Sequence, residues 1–215
     1  MKHSAKITLI LLAVFLLAQL VGLAVVNEYI DVKQSAATGR TEIRQETYDA
    51  VKVEPPQVKN ESTSFVFILI AVLIGTGLVL LIIKFGKKRL WKLWFFLAVL
   101  FCMLIAFSPF VYKLLKAYLP GIVPYSYYIT FAIALVLASL KTFRHNVYVH
   151  NFTEIFIYGG LAAIIVPIVN LFSIVLLLLL ISAYDFYAVW KSKHMVTMAK
   201  FQKSENLFAG LMIPY

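Results

Sequence analysis

The sequence predicts an all-α membrane protein with about six transmembrane helices, and three observations carry that reading. Of its 215 residues, 62% are hydrophobic and only 14% are charged, whereas soluble domains run at about 45–50% apolar and about a quarter charged. Six apolar runs approach the roughly 20 residues that cross the hydrocarbon of a bilayer at 1.5 Å per residue. Lysines and arginines gather at the ends of those runs rather than inside them.

The first run covers residues 7–26 and is followed by a polar stretch, 27–64. The opening MKHSAK is basic, as in a secretory leader, but the apolar core is longer than the 7–15 residues usual there. No Ala-x-Ala cleavage pattern follows, so a retained helix is expected. The second run, 65–83, closes on the basic string KFGKKRLWK; the third covers 93–112 and the fourth 121–140. The fifth starts near Phe152, runs to about 169 and is interrupted by Pro167, and the sixth covers 171–190. Helices are expected throughout, because lipid offers no partner for an irregular backbone. A polar tail, 191–215, remains. Met195, Met198 and Ala199 fall on one helical face there, with Lys193, Lys200 and Lys203 largely elsewhere, a spacing that suits a short surface helix.

Threading six helices from a cytoplasmic N-terminus puts thirteen of the 20 basic residues inside and seven outside, five of the seven in 27–64 beside seven acids. Cytoplasmic edges carry the excess of basic residues, so both termini are expected in the cytoplasm and 27–64 outside it. The net charge of +10 then reflects topology and attraction to anionic lipid. Scattered along membrane edges, it forms no patch for nucleic acid.

Cys102 is the single cysteine, so no internal disulfide forms, and no metal or cofactor site is expected. His3, His145, His150 and His194 read as polar residues of the cytoplasmic edge. Asn60-Glu61-Ser62 fits a glycosylation sequon on the outer side. Ala71 and Gly75 on the second helix, and Gly159 and Ala163 on the fifth, have the four-residue spacing that lets helices approach closely in lipid.

The acids hold the functional signal. Seven lie in 27–64, Glu205 lies in the tail, and Glu154 falls in the first turn of the expected fifth helix, where a carboxylate is favoured. Asp185 differs. It sits fifteen residues into the sixth helix and five before its end, about 7 Å below the membrane edge at 1.5 Å per residue. Near a helix centre an aspartate costs about 2.5–3.5 kcal/mol to insert, less at this depth, and its short stem cannot reach out to water. Such a residue is either functional or a polar clasp between helices, bonded for instance to a neighbouring tyrosine.

Tyr184-Asp185, with Val189 and Lys193-His194-Met195 downstream, resembles the sixth helix of the presenilin and signal peptide peptidase family of intramembrane aspartyl proteases. The likeness is strongest to the archaeal presenilin-like branch and is close over residues 181–215. It implies the N-terminal portion, helices one to six, of a nine-helix presenilin-like fold, acting on transmembrane peptide substrates in the bilayer. It also implies Asp185 as one of two catalytic aspartates, with Tyr184 its motif neighbour. In the family the second aspartate lies in a Gly-x-Gly-Asp (GxGD) motif on the seventh helix, and a Pro-Ala-Leu motif follows on the ninth. Neither motif occurs in these residues. The expectation is therefore half an active site, completed by a GxGD-bearing segment and inactive without it. Two alternatives compete: a noncatalytic scaffold derived from such a protease, and a small transporter or channel with Asp185 in an ion path.

Overall fold

The computed structural model describes residues 5–54, 61–144 and 146–212. Lys2, His3, Lys59, Asn60 of the sequon, His145 and the 213–215 end lie outside the described residues. The protein is almost wholly helical. Its α-helices run α1 Ala5–Tyr29, α2 Val32–Thr38, α3 Gln45–Val51, α4 Ser64–Lys84 and α5 Lys88–Tyr118. They continue with α6 Ser126–Phe143, α7 Val147–Ile165, α8 Leu171–Phe186 and α9 His194–Ser204. Among the described residues the only extended pairing is an isolated bridge between Ile30 and Ile43.

Among the described residues, six segments are long and apolar enough to span a bilayer: Ile7–Tyr29, Ser64–Lys84, Lys88–Tyr118, Pro120–Phe143, Val147–Ile168 and Leu171–Lys191. That number agrees with the sequence expectation. Leu9, Leu20 and Leu23 of α1 are each about two-thirds exposed (69%, 65% and 67%), an apolar surface that only lipid or another helix matches.

The chain divides into two units. In the first, comprising Met1–Pro56, Phe96–Pro167 and Gly210–Tyr215, α1 lies against α7. A Cβ on Gly159 would come within 3.1 Å of Val25 Cγ2 and 3.5 Å of the Gly22 Cα. On Gly160 it would overlap the Cys102 backbone carbonyl of α5. Two adjacent glycines thus bring α7 close to both neighbours, and Ala163 one turn on is buried too. The close packing expected of Gly159 and Ala163 is present.

Helix α5 is longer than the expected 93–112, with 31 residues, and it contains Pro109. A proline has no N–H for the carbonyl four residues back, here that of Ile105, and an unmatched carbonyl in the hydrocarbon is costly. The Tyr29 hydroxyl donates to the Ile105 oxygen at 2.7 Å. The proline and the tyrosine therefore form one device, through a bond that joins residues 76 apart, Tyr29 and Ile105.

The stretch after α1 is folded. Asp31 caps α2 by accepting from the Lys33 and Gln34 amides, and Gly39 ends it in the left-handed region at φ 70°. In α3, Thr47 donates to the Glu28 carbonyl at 2.7 Å, and Tyr48 stacks edge-on against Tyr29.

In the second unit, Gln57–Phe95 and Ile168–Ala209, α4 lies beside α8, and Asn170 links the pair by donating to Ser62 Oγ at 3.1 Å. Here the sequence reading needs correcting. Ala71 is exposed, and nothing lies within 4 Å of where a Gly75 Cβ would be. No described neighbour makes the close approach at Gly75 that the spacing would permit. The tail does form a helix, α9, but it packs on protein: Phe201 meets Trp91 edge-on at 5.9 Å. Glu205, read as a plain tail acid, is buried and pairs with Lys88 at 2.5 Å and Lys92 at 3.9 Å.

Candidate functional site

Asp185 is the fifteenth residue of α8, one before its last. Regular α-helix stops there because Tyr187–Lys191 winds into a π-turn, closed by the Ser192 amide donating to the Tyr187 carbonyl at 3.0 Å. Single π-turns interrupt helices rarely and often at functional sites. Lys193 then takes the left-handed conformation, φ 57°, uncommon for a residue with a Cβ. The chain reverses into α9, whose first residue, His194, returns to α8. Its Nε2 lies 2.9 Å from the Tyr184 hydroxyl and its Nδ1 2.6 Å from Ser192 Oγ.

Tyr184 is thus held by His194 and not by its neighbour. The Asp185 carboxylate, half-buried, makes no hydrogen bond or ion pair with any described residue. A clasp needs a partner, and the described residues supply none.

Three carboxylates fall within the six spans, and the other two are neutralised. Glu28, counted with the polar stretch at the sequence level, belongs to the last turn of α1, with Lys113 at 2.6 Å and Arg44 at 4.0 Å. Glu154 lies deeper than expected. Helix α7 starts at Val147, not near Phe152, because Asn146 caps it by accepting from the Tyr148 and Val149 amides. That places Glu154 in the third turn, 2% exposed, so Asp185 is not the only in-span acid. Lys141 of α6, its side chain 1% exposed, donates to Glu154 Oε1 at 2.7 Å. Lys141 Nζ also lies 3.3 Å from His150 Nδ1. Neither Lys141 nor His150 is a simple membrane-edge residue.

Sequence reasoning missed this Lys141–Glu154–His150 cluster. The available signal was the spacing of His150 and Glu154, one turn apart near the start of a largely apolar helix. Outside the spans, burial pushes the Tyr48 hydroxyl up to about 12, so it stays neutral. Among the described residues, no group of three or more His, Cys, Asp or Glu side chains is placed to hold a metal ion.

The arrangement defines a multi-pass helical membrane protein with one unneutralised carboxylate near the end of its sixth span. The model of the family described as signal-peptide peptidase, presenilin aspartyl protease matches residues 12–215. The chain belongs to that family, which consists of intramembrane aspartyl proteases. No curated protein and no solved structure gave a match.

Proposed function

We propose that Asp185 is one of the two catalytic aspartates of a presenilin-like intramembrane protease of the archaeal type, and that a GxGD-bearing segment supplies the other. The observation that carries this reading is the contrast among the in-span acids: Glu28 and Glu154 have lysine partners within 2.7 Å, and Asp185 has none among the described residues. A carboxylate engaged in an ion pair is committed to a structural role. One left without an ion-pair partner is available for proton transfer.

The chemistry requires two such groups. One carboxylate takes a proton from water as the oxygen attacks the peptide carbonyl, while the protonated partner gives its proton to the carbonyl oxygen. The gem-diol then collapses, the amide nitrogen is protonated and the C–N bond breaks. Two adjacent carboxyls share the single proton this needs, because both cannot ionise side by side. Glu154 does not fill the second role, since its carboxylate is engaged with Lys141 at 2.7 Å.

The substrates on this reading are transmembrane peptides. Expressed by itself, the 215-residue chain should insert and leave a fluorogenic transmembrane peptide uncleaved. Co-expressed with a three-helix GxGD-bearing segment, it should cleave that peptide, with inhibition by hydroxyl-containing transition-state mimics. Proteolysis by these residues alone would overturn the proposal.

The same reading puts both termini in the cytoplasm and 27–64 outside, following the basic residues. Single cysteines at Gln34 and Ser192, in a Cys102→Ser background, report this with an impermeant thiol reagent on intact cells. Labelling at 34 and none at 192 is expected; the opposite pattern reverses the orientation.

A further inference from the structure

His150 and Asn151, adjacent on α7, make three hydrogen bonds to the backbone of residues 210–212. The Asn151 carboxamide closes a pair: Nδ2 donates to the Met212 carbonyl at 2.7 Å, and the Met212 amide donates to Oδ1 at 2.8 Å. The third joins His150 Nε2 to the Gly210 carbonyl at 2.7 Å. Residues two apart on an extended stretch present their backbone polar groups to the same side, as 210 and 212 do here, with Gly210 itself at φ 153°, a conformation that a residue with a Cβ rarely adopts. The two side chains therefore imitate the edge of a neighbouring β-strand.

The donor at 150 is set in advance. Lys141 Nζ approaches His150 Nδ1 at 3.3 Å, and an ammonium can only donate, so Nδ1 accepts and Nε2 bears the hydrogen. Glu154, at 2.7 Å from Lys141, holds the lysine in turn. The buried cluster thus fixes the tautomer that meets the peptide carbonyl.

We propose that His150 and Asn151 form a docking site for the main chain of an extended peptide, filled here by the protein's own residues 210–212. All three bonds go to backbone atoms, so the ligand class is an extended polypeptide with a glycine at the Gly210 position, where φ is 153°, and a free N–H at the Met212 position, otherwise largely independent of side chains. Resting on the protease reading, the external ligand is the extended stretch of substrate next to its membrane helix, which displaces 210–212.

The probe is a fluorescein-labelled peptide of residues 208–215, FAGLMIPY, titrated into the full chain in lipid nanodiscs and followed by anisotropy. Wild-type protein should show little saturable binding, because the tethered copy competes at a millimolar-scale effective concentration. Met212→Pro removes the amide that Asn151 accepts and lies beyond α9, so it should open the site to the peptide. Methylating the probe's Met nitrogen, or adding Asn151→Ala to Met212→Pro, should weaken that binding about tenfold, the loss of one or two hydrogen bonds. A probe reordered at every position except the glycine, with a free amide at the Met212 position, should bind within a few-fold. Binding by Met212→Pro no stronger than by wild type overturns the site. Binding indifferent to N-methylation or to Asn151 does so equally, since it marks apolar adhesion. No proteolysis enters the assay, so its failure leaves the role of Asp185 untouched, and an inactive protein would still bind.

Discussion

Glu154→Gln should cost the protein about 3–5 kcal/mol of stability, the range for breaking a buried ion pair by removing one partner. The Lys141 side chain is 1% exposed and its Nζ sits 2.7 Å from Glu154 Oε1, so the ammonium loses its close carboxylate and gains little water in exchange. Lys141→Met strands the Glu154 carboxylate in the same way, but with a smaller expected loss. His150 Nε2 lies 3.9 Å from Glu154 Oε1 and offers a replacement cation once protonated. The double variant Lys141→Met with Glu154→Leu should recover most of the loss, because apolar side chains of similar volume replace buried ion pairs at little or no cost. Thermal unfolding of the wild type, Glu154→Leu, Lys141→Met and the double variant in one detergent measures this as a double-mutant cycle. Additive losses would show that the two residues do not act as a pair.

This cluster also shows where sequence reading stops. The spans were legible because the requirement is an average, enough apolar residues in a row to cross the bilayer, and an average survives ignorance of neighbours. Pairing is not an average. Lys141 and Glu154 are 13 residues apart and on different helices, and each alone reads as a membrane-edge charge. An expected start near Phe152 made Glu154 a first-turn acid; Asn146, an N-cap five residues before Asn151, moved the helix start and buried it. Pro109 posed the same difficulty. Its unmatched carbonyl was predictable, but Tyr29 as the donor was not. Ala71 and Gly75 failed in the other direction, since small residues permit close approach without requiring it. Asp185 was the exception among the acids, because its oddity is positional: a short charged side chain late in an apolar run needs no tertiary partner to stand out.

Asp185→Asn should abolish cleavage in the complex with a GxGD-bearing segment and leave the stability of the helices intact. An amide can neither take a proton from water nor share one with a second carboxylate, and loss of such a group typically costs 10²–10⁴-fold in rate. The expected fall is at the upper end, about 10⁴-fold, because one proton serves both members of the pair. On stability the sign is opposite to that at Glu154. Lys141 compensates Glu154, whereas Asp185 has no ion pair or hydrogen bond among the described residues, so its removal breaks nothing there. Replacing an uncompensated in-span acid lowers the cost of insertion, and the unfolding temperature should stay level or rise. The neighbouring bond, His194 to the Tyr184 hydroxyl at 2.9 Å, is untouched by the change, which keeps the α8–α9 corner in place while the carboxylate is lost. Measuring peptide cleavage and thermal unfolding on the same preparation separates the two roles. Retained cleavage with a lower unfolding temperature would make Asp185 a structural clasp and remove the basis for assigning it to catalysis.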